Sequence, residues 1–346
     1  MTNFYDIPDK LKNEIFTEVG KKSSLPAYAA EKDWWVVQCL SIIFDMDIGK
    51  HLVFKGGTSL SKAWGLIERF SEDVDLAVDR SFFGFEGELG KSQRTKLRKK
   101  ASNYITDVFV PELKRKFNKS GFNDVDVKAI EPLSSDQDPR IIEIYYPNVI
   151  ESPAYIRPKV QIEIGSRSMR EPFTLVPVKS LIDEYYPDKD FAQPEIEIPV
   201  VNAERTLLEK IFLLHEEFQR PEEKIRVDRL SRHLYDIYQL DKSGFTDKAI
   251  AGKELYETIV RHRYIFTKLG GVDYNKHNPK YINPIPPSEL MDAWGKDYQI
   301  MKEQMIYGDS PSFDELIAGV RKATEMINNI GWEFELTFPP IIKKEQ

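Results

Sequence analysis

Between Phe54 and Val78 the chain reads FKGGTSLSKAWGLIERFSEDVDLAV. An apolar run ends at Lys55, Gly56 and Gly57 permit a tight turn, Thr58 to Ile67 has helical composition, and the DVDLAV segment opens with polar–apolar alternation and continues apolar. The stretch predicts a strand, a turn, a helix and a second strand, which commits the chain to a sheet with helices packed on it. Side chains on a strand alternate between faces, so Ser71, Asp73 and Asp75 share one face while Val74 and Leu76 take the other.

Two carboxylates that close repel each other. At roughly 5 Å and an effective dielectric of about 20 the repulsion is on the order of 3 kcal/mol, enough to call for a compensating cation. Hard oxygen ligands at this spacing suit Mg²⁺ (or Mn²⁺), which takes one or two protein carboxylates and completes its shell with water and substrate phosphate. The hydroxyls of Thr58 and Ser59 would lie at a helix N-terminus, where phosphate is favoured. The same residues also read as an ordinary N-cap, and DVD alone as a solvent-facing strand.

The rest of the chain changes character near residue 200. Before it, β-rich runs at 51–54, 74–78, 123–129, 141–146, 160–164 and 173–176 interleave with helical patterns at 31–44, 59–67 and 92–109. After Asn202, helical periods dominate, at 203–218, 225–240, 248–266, 287–305 and 313–330. The expected division is 1–200 and 201–346. The closing WEFELTF segment reads either as a strand returning to a sheet or as a packed tail.

With 346 residues, 41% of them hydrophobic, the chain can fill a sizeable core. The single cysteine, Cys39, suits a reducing cytoplasm. MTNFYDIPDK carries no signal-peptide pattern and the longest apolar run, 36–44, is too short to span a bilayer, so no membrane role is expected. The net charge of -7 hides an uneven distribution: ten basic residues between Lys91 and Lys119 face only Asp107 and Glu112. That excess of eight, which includes Lys96, Arg98, Lys99 and Lys100, reads as a track for an RNA backbone or as a solvated helix face.

Other chemistries lack their patterns. The five histidines have no close metal-ligand spacing, GGTSLSK lacks the P-loop spacing, and no Ser-His-Asp arrangement stands out.

GGTSLSK followed by RFSEDVDL resembles the first signature of nucleotidyltransferases with the DNA polymerase β type of fold. Together with EKDWWVVQCL (31–40), ERTLLEKIFLLH (204–215) and RHLYDIYQL (232–240), it resembles the AbiEii/AbiGii nucleotidyltransferase toxin family, across most of the chain. The resemblance implies an α+β fold: a polymerase-β-like mixed sheet with helices, followed by a mainly helical C-terminal lobe that completes the nucleotide and acceptor cleft. It implies a toxin of a bacterial toxin–antitoxin or phage-defence pair, with a cognate antitoxin, that transfers a nucleotide from an NTP to an RNA acceptor, expected to be a tRNA 3′ end. Transfer to a protein hydroxyl, or NTP and RNA binding without turnover, are the alternatives. By the resemblance, Gly56, Gly57, Thr58 and Ser59 would cradle the triphosphate and Asp73 and Asp75 would hold the metal. Ser71 matches a hydroxyl beside the metal pair, Lys210 a nucleotide-contacting lysine, and Asp236 a late essential aspartate.

Polymerase β type sites often carry a third carboxylate on a neighbouring strand, and in RPKVQIEIGSR alternation makes Glu163 the candidate, as a third ligand or a base. Arg157, Lys159 and Arg167 could pair with it or bind acceptor phosphates. Lys210 sits among apolar neighbours, where its ammonium needs an anion; phosphate, Glu204 and Glu209 are the candidates. Helical spacing puts Arg229, His233 and Asp236 on one face, which either closes over the nucleotide or forms a surface salt-bridge ladder.

Overall fold

The computed structural model describes residues 3–71, 73–151 and 158–340. The chain divides into two compact units: Met1–Trp64 with Phe70–Val201, and Gly65–Arg69 with Asn202–Gln346.

The first unit is built on a seven-stranded mixed sheet of order β3-β4-β5-β2-β1-β7-β6. Its strands are β1 (Leu52–Lys55), β2 (Asp73–Val78), β3 (Asp126–Ala129), β4 (Arg140–Tyr145), β5 (Lys159–Gly165), β6 (Phe173–Val178) and β7 (Ile196–Val201). β2 runs parallel to β5 and β1 parallel to β7; the other pairings are antiparallel. The strand period sorts the central residues: Val74, Leu76, Val160, Ile162, Ile164, Ile142 and Ile144 are buried on one face, against which a helix packs. That helix, α2 (Ala27–Phe44), follows α1 (Asp9–Ser23) and is apolar nearly all round, as a helix sunk in a core must be. Its Trp35 stacks on Tyr146 at 5.0 Å.

The helix opened by the glycine pair, α3 (Gly56–Lys62), is shorter than its composition predicts. The chain leaves it before Gly65, which takes a left-handed φ of 60°, and Gly65–Arg69 joins the second unit. The basic segment forms α4 (Lys91–Tyr104) and α5 (Val110–Lys119), continuous through a wider π turn at Ile105–Phe109; Pro111, in the first turn of α5, has no N–H for the ladder. α6 (Leu181–Tyr185) precedes β7, a strand that the sequence reading missed.

The second unit is helical: α7 (Ala203–Glu217), α8 (Ser231–Lys242), α9 (Phe245–Ala251), α10 (Lys253–Phe266), α11 (Met291–Gln304) and α12 (Phe313–Asn328). The period predicted over 248–266 is broken at Gly252 into α9 and α10. The tail around Trp332 is a packed tail, not a strand: Trp332 Nε1 donates to the Ile250 carbonyl and its ring packs edge-on to Tyr256. Among the described residues no helix is long and apolar enough to cross a membrane.

Candidate active site

Strand register assembles the acidic cluster of the first unit. Antiparallel pairing sets Lys55 opposite Asp75, and parallel pairing sets Asp75 opposite Glu163, so these three occupy one row across β1, β2 and β5. Asp73 stands opposite Gln161 in the next row of the same face. All five are half-buried. Lys55 Nζ lies 3.9 Å from Asp75 Oδ1, and Gln161 Nε2 donates to Glu163 Oε1 at 3.3 Å. Burial, with the charges of Asp75 and then Asp73, raises the Glu163 carboxyl above the usual carboxylate range, so it holds a proton more readily than an ordinary glutamate.

The glycine turn is fitted to Asp75. Gly56 has φ 81°, and a Cβ there would collide with the Asp75 carboxylate. Thr58 Oγ1 donates to the Asp73 carbonyl at 2.5 Å and shares a hydrogen bond with Ser71 Oγ at 2.9 Å, tying α3 to β2. Ser59 is fully buried and donates to the Gly56 carbonyl at 2.9 Å. Thr58 and Ser59 thus lock the turn from within, and Gly56 and Gly57 are its half-buried outer part. The other end of α3 is fastened by Lys62 to Asp33 at 2.7 Å, whose second oxygen accepts from Leu181 N.

Among the described residues no group of three or more His, Cys, Asp or Glu side chains is arranged to hold a metal ion. The donor set nonetheless fits Mg²⁺. It offers two hard carboxylates on one strand face, one of them against a backbone position where a Cβ would collide, and Mg²⁺ draws its remaining ligands from water and phosphate. Of the cations expected near Glu163, Lys159 pairs with Glu143 and Arg167 with Asp138, while Arg157 lies outside the described residues.

The second unit holds a different cluster. Asp236 on α8 is fully buried; Lys210 on α7 reaches its Oδ2 at 2.8 Å, and Arg69 grips both oxygens, Nε to Oδ1 at 2.7 Å and Nη2 to Oδ2 at 2.8 Å. Burial opposes ionisation of Asp236, but Arg69 and Lys210 hold its carboxyl far below the usual range. Burial also lowers the Lys210 ammonium, which Asp236 opposes and Arg69 reinforces. Neither acid expected beside Lys210 is its partner: Glu209 pairs with Arg205 and Glu204 accepts from Asn202. Arg229 is not on the helix face with His233 and Asp236, because it precedes α8 at φ 58° with its N–H donated to Asp297. His233 lies beside Lys210 and Asp236, and burial followed by the Lys210 charge keeps its imidazole neutral. Sequence reasoning missed Arg69; the available signal was Asp236 itself, a carboxylate in an apolar helix period that required a cation.

The basic segment is partly spent on local structure. Arg98 pairs with Asp136 at 2.7 Å, Lys116 with Asp45 at 2.7 Å, and Lys100 donates to the Phe83 carbonyl. Lys96 and Lys99 are exposed on α4.

Solved structures similar to the chain include JHP933 from Helicobacter pylori, at 13% identity over 86% of this chain and 91% of that one, TM-score 0.43. Another is MenT4, a nucleotidyltransferase toxin from Mycobacterium tuberculosis, at 16% identity over 93% and 99%, TM-score 0.43. No curated protein matches the sequence. The family described as nucleotidyl transferase AbiEii toxin, type IV toxin–antitoxin system, matches residues 39–319, a span that takes in both the acidic row of the sheet and the buried ion cluster. With most of its length accounted for in this way, the chain belongs to the AbiEii nucleotidyltransferase toxin family.

Proposed function

We propose that this nucleotidyltransferase toxin transfers a nucleoside monophosphate from an NTP to a hydroxyl of RNA, with a tRNA 3′ end as acceptor, in a reaction dependent on Mg²⁺ or Mn²⁺. The observation that carries the reading is the row Lys55–Asp75–Glu163 with Asp73 beside it on one sheet face. Asp73 and Asp75 hold the metal, which when bound supplies charge neutralisation on the phosphate oxygens. Gly56 and Gly57 bring the backbone close to the triphosphate, while Thr58, Ser59 and Ser71 fix that bend and the start of the metal strand. Lys210 contacts the nucleotide, supported by an ammonium buried in an apolar helix and by the family resemblance.

Glu163 takes the proton of the attacking hydroxyl. The oxygen of that hydroxyl bonds to the α-phosphorus, the bond from that phosphorus to the β-bridging oxygen breaks, and pyrophosphate departs. A carboxyl raised by burial and by two like charges is suited to accept that proton. Lys96 and Lys99 carry acceptor phosphates, with Arg98 and Lys100 lending support from positions already tied to the protein.

Those ties favour one second reading, in which the acceptor is a protein hydroxyl and the basic segment is structural. Incubating the protein with each α-labelled NTP, magnesium and total RNA, with a parallel protein fraction, tests both. Label in RNA supports the first reading, label in protein the second, and label in neither rejects transfer by this site. Membership of a type IV toxin–antitoxin family implies an antitoxin encoded as its counterpart.

A further inference from the structure

The strongest unexplained arrangement in the molecule is the shared carboxylate of Asp236. Its Oδ2 accepts from both Arg69 Nη2 and Lys210 Nζ, each at 2.8 Å, and its Oδ1 is held by Arg69 Nε at 2.7 Å. A guanidinium that binds a carboxylate through two parallel N–H groups fixes the carboxylate plane as well as its distance. The plane in turn fixes the direction from which Lys210 can approach Oδ2. A single ammonium bonded to a lone carboxylate would be free to swing between the two oxygens.

Arg69 is itself held. Its segment is part of the second unit, Glu68 accepts at its carbonyl from Tyr307 N at 3.1 Å, and Arg69 forms an isolated β-bridge with Ile306. The Glu68 side chain lies against Gly308 so closely that a Cβ there would not fit. Arg69 and Asp236 are 3% and 0% exposed, so the fork is shielded from competing water.

We propose that Arg69 is a positioning residue for nucleotide binding: through its two-pronged grip on Asp236 it sets where the Lys210 ammonium sits. Asp236 is then a positioning residue too, since both of its oxygens are engaged by cations and its carboxylate serves as the hinge plate between Arg69 and Lys210. The inference rests on the reading of Lys210 as the nucleotide-contacting lysine, and it goes further in naming what aims it. The lowered proton affinity of Lys210, to which Arg69 contributes after burial, agrees with three groups sharing one site.

The test measures the Kd of each magnesium NTP by calorimetric titration for the full chain and for Arg69→Met, Arg69→Lys, Lys210→Met and the double variant Arg69→Met/Lys210→Met, each checked by a thermal melt. Wild type is expected to bind at least one NTP, and Arg69→Met to weaken it about tenfold. Arg69→Lys keeps the charge but loses the fork, so it is expected to remain weakened severalfold; it also keeps the question answerable if Arg69→Met does not fold. The double variant is expected to bind no more weakly than Lys210→Met alone, because the two residues act in series. Wild-type affinity in a folded Arg69 variant, or fully additive losses in the double variant, overturns the role of Arg69. An unaltered Kd in Lys210→Met overturns the underlying reading of Lys210, and is a separate result.

Discussion

Asp75 and Glu163 stand opposite each other on adjacent parallel strands, 88 positions apart in the chain, and the proximity of their charges adds to burial in raising the Glu163 carboxyl. A base with a raised pKa must lose its proton before it can act, so the acid limb of the rate profile moves toward neutral pH. Glu163→Gln is expected to slow nucleotidyl transfer by about 10²- to 10⁴-fold and to abolish that limb. Initial rates of RNA labelling between pH 5 and 9 check both effects; an unchanged profile in the variant removes Glu163 from the chemistry.

Replacing either of the aspartates proposed to hold the metal should do more harm. Asp73→Asn and Asp75→Asn remove a hard charged ligand while keeping the shape of the strand, and labelling is expected to fall below detection with the melting temperature little changed. Full activity in both would reject the metal site.

Gly56→Ala probes the same carboxylate from the other side. The left-handed φ costs an alanine about 1–2 kcal/mol, and the added methyl displaces Asp75. Loss of labelling beyond the loss of stability, compared by urea unfolding and activity on one preparation, is the expected signature of a turn fitted to its aspartate.

Asp236→Ala should be costly to the fold as well as to activity, since it strands Arg69 and Lys210 as buried cations, a loss of about 3–5 kcal/mol. The Asp236 carboxyl is depressed in the folded protein, so its contribution is present above the ordinary aspartate pKa and is lost as pH falls through the folded value. Urea midpoints of wild type and variant should therefore converge in strong acid, draw apart as pH rises, and be fully separated by about pH 4.

Glu31 offers the opposite sign. Buried on α2, it accepts from Val149 N at 2.7 Å and Ile150 N at 3.2 Å, yet desolvation pushes its carboxyl up to about 7. The unfolded chain loses this proton near the ordinary glutamate value, so the Glu31 contribution declines as pH rises from about 4.5 to about 7 and is flat above, a change on the order of 3 kcal/mol. Glu31→Gln is expected to flatten that slope in chemical denaturation series; an identical slope in the variant would show that another group governs it.

Local periodicity already specified much of this protein. Alternation in the DVDLAV segment and in KVQIEIG dictated which side chains share a face, because a strand's two-residue repeat is a property of the backbone itself. Helical repeats were legible for α7 and α12 for the same reason, and the family resemblance rested on such short signatures. The boundaries were less legible: α3 stops at Lys62 because its chain departs to another unit, and β7 escaped notice within the acidic and proline-bearing EIEIPVV segment.

Which faces meet was decided only by tertiary structure. Nothing periodic links Glu163 to Asp75, Arg69 to Asp236, or Arg98 to Asp136, since a charge pair closed over many residues leaves no spacing to read. The sequence by itself determined the strand faces, the glycine turn and the carboxylates it would bear. The folded chain determined their partners, because strand register and the burial that demands a counter-charge arise only when distant segments pack.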